Sequence, residues 1–262
     1  MRVYVEIAIR SFRRATQYRT AFIAGILTNS FFAAIQSLMY IALFQAGGTV
    51  AGFSLAQAIT YNWTTQAMIS LGAGWISTEM AGTIRSGDVV TDMSRPWSFY
   101  GYWMSRTAGE RLFNFLVRGS ITYLLGVLYF GALVPRPQDA LAFLLSALLA
   151  LVITFAYGFM INLVAFWTLE IAGIQLIANS LQAFFSGFLV PIAFFPPWLA
   201  ALAHALPFES VAGVPAQILQ GKIGGAALAW AIGQQALWAV AMTGAAMLLT
   251  RVAMRKVVVQ GG

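Results

Sequence analysis

Between Arg19 and Glu79 the chain carries no Asp, Glu, Lys or Arg, a stretch far longer than the ~20 residues that a helix needs to cross a bilayer. No soluble fold can cover such a run with charge. The remainder follows suit: 60% of the 262 residues are apolar and 9% charged, against about 45 to 50% and about 25% in soluble domains. Lipid is therefore the solvent for most of the chain, and the expected fold class is an all-α, polytopic membrane protein, read as one transmembrane domain over residues 1–262.

Windows of about 19 residues place six spans, near Ala21–Phe44, Leu55–Trp75, Leu112–Val134, Ala140–Phe166, Ile171–Val190 and Ala226–Thr250. Orientation follows from the Lys and Arg residues. Thirteen lie before the first span, between the second and early third, or after the sixth, and only Arg136 and Lys222 lie on the opposite side. Positive residues favour the cytoplasm, so both termini are expected there, in the inner membrane. The first apolar stretch is too long for a signal h-region and is expected to stay in the mature protein. Arg118 falls within the third span, where a central arginine costs about 2.5 to 3.5 kcal/mol on translocon scales; snorkelling to the headgroups relieves that cost.

The chemistry that the composition excludes is broad. Without cysteine and with His204 as the one histidine, neither thiol catalysis nor a metal cluster is expected. The net charge of +7 sits beside apolar segments, which argues for membrane topology and against nucleic acid. There is no G-x-x-x-x-G-K-[ST] phosphate loop, so ATP hydrolysis is not expected of this chain, which is read as no enzyme and as holding no cofactor. Proton-coupled carriers use carboxylates within their spans, whereas Glu170 and Glu209 fall at or beyond span ends. A secondary transporter or channel is the alternative reading.

Three segments are more than connections. Residues 1–20 are expected to form an amphipathic interfacial helix lying on the membrane, with Tyr4, Val5, Ala8, Phe12 and Ala15 on one arc and Arg2, Glu6, Arg10 and Arg13 on another. Residues 76–110 are far longer than an ordinary helix connection and alternate charged Glu79, Arg85, Asp88, Asp92 and Arg95 with apolar Met80, Ile84, Val89, Val90 and Met93, punctuated by Gly87 and Pro96. Such a segment suits docking on a polar partner, while Trp97, Phe99, Tyr100, Tyr102 and Trp103 suit a bilayer surface. Residues 191–222 are too apolar for an outside loop but are broken by Pro191, Pro196, Pro197, Pro207 and Pro215, a pattern expected of a re-entrant helical hairpin. Within spans, the amides Asn29, Gln36, Asn62, Gln66, Gln175, Asn179 and Gln182 are expected to face other helices or a pathway.

Ile84-Arg85-Ser86-Gly87-Asp88 leading to Ser94-Arg95-Pro96, together with the run Gly187…Pro191…Phe195-Pro196…Leu206-Pro207-Phe208…Pro215…Ile218-Leu219, resembles the ABC type-2 permease family over nearly the whole chain. The resemblance implies a membrane subunit that pairs with a second permease, as a homo- or heterodimer, and with a separate ATP-binding-cassette ATPase that supplies ATP and Mg chemistry. It implies further that Arg85, Gly87, Asp88, Asp92, Arg95 and Pro96 belong to an ATPase-coupling element, and that Pro191, Pro196, Pro207, Phe208 and Pro215 belong to an external hairpin. Family substrates are mostly exported.

Overall fold

The computed structural model describes residues 2–17, 19–45, 48–168 and 170–256. These form α1 (Arg2–Ala15), α2 (Arg19–Leu43), α3 (Leu55–Met68), α4 (Glu79–Ser86), α5 (Val89–Met93), α6 (Phe99–Asn114), α7 (Ser120–Phe130), α8 (Pro137–Leu163), α9 (Ala172–Phe185), α10 (Pro197–His204), α11 (Gly213–Leu219) and α12 (Gly225–Ala253), with no β-strand among the described residues. A π-helical turn, Phe115–Gly119, joins α6 to α7 without a break.

Among the described residues, four helices are long and apolar enough to cross a membrane: Phe22–Leu43, Phe99–Phe130, Pro137–Phe166 and Gly225–Ala253. The expected spans at 55–75 and 171–190 instead contain α3 and α9, each of 14 residues and so about 21 Å of helical rise, against a hydrocarbon core of about 30 Å. Burial explains why α3 can be short and polar. Every residue from Ala58 to Met68 is buried, so α3 meets protein rather than lipid, and its Thr, Asn and Gln residues answer to their neighbours.

Those neighbours set its direction. On α2, Ala33 O and Ser37 Oγ accept from Asn62 Nδ2 at 2.8 and 3.1 Å, and Ser37 Oγ also accepts from Trp63 Nε1 at 2.9 Å. Along α6 and α7, Leu133 N donates to Thr60 Oγ1 at 2.8 Å near one end of α3, and Arg111 Nη1 donates to Leu71 O at 3.0 Å just beyond the other. In between, Gly126 lies against the Trp63 ring. The start of α3 is fixed by a reciprocal cap, in which Ser54 Oγ accepts from Gln57 N at 3.3 Å and Gln57 Oε1 accepts from Ser54 N at 2.9 Å. It thus runs antiparallel to both α2 and α7.

The third long helix begins at Phe99, well before the expected Leu112. Ser98 caps it, accepting from Gly101 N at 3.2 Å, and Phe99, Tyr100 and Trp103 are buried with Phe155 and Phe159. Aromatics that suit a bilayer surface in sequence therefore form part of the core. Only residues 76–98 of the expected 76–110 segment lie outside the long helices.

α1 lies along α6. Tyr4 Oη accepts from Ser98 N at 2.9 Å, Phe12 meets Phe113 edge-on at 5.3 Å, and a Cβ on Gly109 would overlap the Ala8 carbonyl. Val5 is exposed together with Val3 and Ile9, since the face packed on α6 runs through Tyr4, Ala8 and Phe12. α1 thus carries one apolar strip for α6 and a second for its surroundings. Glu6 and Arg10 pair at 3.0 Å. Replacing Gly109 with valine is expected to lift α1 from α6. Hydrogen exchange should then rise across residues 2–15 while circular dichroism of the whole protein barely changes.

Candidate translocation cavity and its coupling segment

A cavity of about 970 Å³ is walled by α2, α3, the turn after α3, α6 and α9. Four of the seven intramembrane amides line it: Asn29, Gln36, Gln66 and Gln175. Asn29 bridges helices, donating to Gln66 O at 3.2 Å and accepting from Arg118 Nη2 at 2.8 Å. Gln36 Nε2 donates to Leu189 O at 3.1 Å, joining α2 to the chain after α9. Asn62 serves α2–α3 packing, Asn179 serves the turn described next, and Gln182 is fully buried with neither amide atom hydrogen-bonded among the described residues.

The turn between α3 and α4 is the most tightly fastened part of the wall. Gly72 and Gly74 take the left-handed conformation, with φ of 95° and 72°, which permits a sharp reversal. The backbone groups that the reversal frees are then taken up by side chains. Gln175 Nε2 donates to Ile76 O at 2.8 Å, and Asn179 Oδ1 accepts from Ile76 N at 2.9 Å. On α8, Asn162 Nδ2 donates to Ser77 O at 2.8 Å and to Gly158 O at 2.7 Å, while its Oδ1 accepts from Ala81 N at 2.9 Å. Beyond these, Arg85 Nη1 reaches Glu170 Oε2 at 3.1 Å. The exposed Glu170 carboxyl is held below its ordinary range by hydrogen bonds from Ala172 N and Ile171 N and then by Arg85, so it stays ionised as pH falls.

α4 is seated on α8 and the turn that follows it, with Ala81 buried against Ala165 and Ile171, while Met80 of α4 and Val89 of α5 are buried in the cluster of Phe99, Tyr100, Trp103, Phe155 and Phe159. Gly87, at φ 81°, ends α4, and Ser86 Oγ donates to Asp88 Oδ2 at 2.6 Å. Arg85, Gly87, Asp88, Arg95 and Pro96 are exposed and Asp92 is half-buried. Desolvation raises the Asp92 carboxyl pKa against the opposing pull of Arg95. The Arg95 guanidinium lies 5.2 Å from the Trp97 ring centroid. Arg85 thus points back into its own chain, whereas Asp88 and Arg95 are turned away from it.

At the opposite end, α10 begins after Pro196 and is exposed at Trp198, while α11 is buried between α3 and α8 with Pro215 inside it. Gly187, at φ 76°, makes the bend after α9, and its carbonyl accepts from Tyr61 Oη at 2.8 Å. Pro191 opens a short helical turn, and Phe208, just after Pro207, packs edge-on against Tyr157 at 5.1 Å. His204 Nδ1 lies 2.5 Å from Glu209 Oε2. Lys222 Nζ, its pKa lowered by desolvation, donates to Gly52 O at 3.1 Å and lies 3.3 Å from the Phe53 ring centroid.

Asn162, Arg111 and Glu170 carry parts of this site that the sequence reading did not assign. A lone asparagine within the apolar run Tyr157–Phe166 was the available signal for the first.

Buried helices, a polar-walled cavity and an exposed charged segment tied to its walls define a multi-pass membrane transport protein. The chain belongs to the ABC-2 family of transporters: the family model described as ABC-2 family transporter protein matches residues 31–261, leaving α1 and the first part of α2 outside the match. No curated protein matches the chain.

Replacing Asn162 with leucine is expected to free Ser77 O and Ala81 N. With membrane hydrogen bonds averaging about 0.6 kcal/mol, the loss is on the order of 2 kcal/mol, read as a lowered thermal midpoint in detergent and faster exchange of the Ala81 amide.

Proposed function

We propose that this chain is the membrane-spanning subunit of an ATP-driven exporter of the cytoplasmic membrane, powered by a separate ATP-binding-cassette ATPase and working as one half of a permease dimer. The observation that carries this reading is the mechanical connection between an exposed charged segment and a cavity wall. A pump must deliver work from a nucleotide-hydrolysing partner to its pathway, and here α4 is held at Arg85 by Glu170 on the approach to α9 and at Ala81 by Asn162 of α8, while Gln175 and Asn179 of α9 hold Ile76 in the turn that leads into α4. A push on α4 therefore reaches α9 through the Arg85–Glu170 pair and through the fastened turn at Ile76.

The family match and the missing phosphate loop together support a partner ATPase. In this reading α3 and α9, despite their length, complete six crossings, and the excess of Lys and Arg beside α1, α4 to α6 and the end of α12 keeps both termini and α4 cytoplasmic. Residues 191–222 close the external side. Exposed apolar residues on α2 (Leu27, Phe31, Leu38) and α9 (Leu176, Ile177, Leu181) suit a second permease across the cavity. Asp88, Asp92 and Arg95 dock the ATPase, and Arg85 fastens the docking helix to α9.

Because the chain has no cysteine, single introduced cysteines report topology directly. Cysteine at Ser86 should react in intact cells only with a membrane-permeant maleimide, and cysteine at Arg136 or Lys222 also with an impermeant one; an impermeant reaction at Ser86 would reverse the topology. In the complex with its ATPase, Asp88→Ala with Arg95→Ala should weaken association, by up to about 2 to 5 kcal/mol where a charge pair is buried on docking. Gln175→Leu with Asn179→Leu should leave association intact but separate hydrolysis from transport. If the first pair copurifies and transports like the unaltered protein, α4 and α5 are a membrane-surface element and the docking assignment fails.

A further inference from the structure

Arg118 and Arg111 occupy positions that bilayer anchoring does not explain. The Arg118 guanidinium is laid across α2, where a Cβ on Gly25 would fall within it. Arg111 is seated in the same way over Gly72, where a Cβ would also overlap its head. Each arginine thus has a glycine whose missing side chain makes room for it inside the bundle. A snorkelling arginine extends along its own helix towards headgroups and needs no such seat on another element.

Among the described residues neither head is in an ion pair. Arg118 gives Nη2 to a neutral partner, Asn29 Oδ1, at 2.8 Å, while its Nε is buried with no hydrogen-bond partner. Arg111 gives Nη1 to the Leu71 carbonyl. Among the described residues neither arginine has a carboxylate within ion-pair distance, although Glu110 adjoins Arg111 in sequence and lines the same cavity. Glu79 is taken by Arg106. Both the Arg111 and Arg118 side chains are half-buried at the cavity wall, and a partly desolvated charge gains from a counter-ion.

Arg118 further stands at a junction. A second chamber of about 370 Å³, between α1, α2 and α6, shares Glu79, Glu110, Asn114 and Arg118 with the larger cavity and adds Arg14 and Arg106. The two chambers together are lined by four arginines and two glutamates. Away from the arginines, the larger cavity is lined by Phe32, Ile35, Phe188 and Leu189, so it is cationic around Arg111 and Arg118 and largely apolar around Phe32, Ile35 and Phe188.

We infer that the larger cavity binds an anionic amphiphile, with a phosphate-like head on Arg118 and Arg111 and an apolar body along Phe32, Ile35 and Phe188. The inference rests on the cavity's being the transport pathway, and it narrows the cargo to molecules with an acidic head and a hydrocarbon portion. The guanidinium fork suits such a head, because it offers paired donors to phosphate or carboxylate oxygens.

The test uses the full chain in nanodiscs of phosphatidylcholine, without any ATPase, so its outcome is independent of the coupling experiments. The probe is dodecyl phosphate bearing a nitroxide near its chain end, read by quenching of Trp75, a cavity residue, with Trp75→Phe as the blank. Saturable quenching is expected. Arg118→Gln should weaken it about tenfold or more and Arg118→Lys by less, while Arg136→Gln should leave it unchanged. Should Arg118→Gln fail to fold, Arg111→Gln and photo-cross-linking of dodecyl phosphate to the unaltered protein, mapped to α2 and the residues after α9, decide the matter. Competition by phosphatidylglycerol added to the nanodisc would mark a lipid headgroup as the source, and competition by inorganic phosphate a soluble anion. Equal quenching by a nitroxide dodecyltrimethylammonium, or undiminished binding to folded Arg118→Gln, would overturn the assignment.

Discussion

The reversal between α3 and α4 and the start of α4 leave backbone groups at two buried residues, Ile76 and Ala81, without partners in their own segment, and the arrangement of this end of the molecule depends on how they are met. An unpaired buried amide costs on the order of 1 to 3 kcal/mol, so Ile76 and Ala81 need partners from outside their own segment, and the exposed Ser77 gains one as well. Gln175 and Asn179 of α9 and Asn162 of α8 provide them. What begins as satisfaction of stray peptide groups ends as a rigid connection. The helix that follows the turn cannot shift without α9 shifting, or without exposing those groups again.

The same constraint accounts for the unusual composition of the bundle centre. α3 is short and polar because it is surrounded by protein, and each of its polar side chains can be spent on a neighbouring helix, as Asn62 and Trp63 are on Ala33 and Ser37. Glycines on adjoining helices allow the close approach this needs, as Gly126 does beneath Trp63. At Gly25 and Gly72 the admitted groups are guanidinium heads, and packing there becomes a chemical feature of the cavity. The π-helical turn at Phe115–Gly119 contains Arg118; single turns of this kind inside long helices are frequent at functional sites.

Much of the architecture was legible because lipid imposes a simple rule on composition. The helical class, the two proline-broken and charge-alternating segments and the set of intramembrane amides can all be read from residue type and spacing. Gln175 and Asn179 share a helical face in sequence and share one target, the Ile76 peptide, in structure. Less was legible wherever burial by protein replaces burial by lipid. An apolar window cannot separate the end of α3 from the turn carrying Ile76, nor foresee that Phe99, Tyr100 and Trp103 face Phe155 and Phe159. Val5 shows the same limit, since an arc of apolar residues does not say which side meets α6. Arg118 suggested an anchor because its glycine seat lies far away in sequence, on α2.

Spin-label distances within the assembled transporter test the proposed connection most directly, with one pair at Ser86 and Gly173, joining α4 to α9, and another at Thr28 and Ser180, joining α2 to α9. Between the nucleotide-free and ATP-trapped states, the first distance should stay constant while the second changes, since α9 would move with α4 against α2. A first distance that changes while the second stays fixed would contradict the connection, showing that α4 moves without carrying the cavity wall.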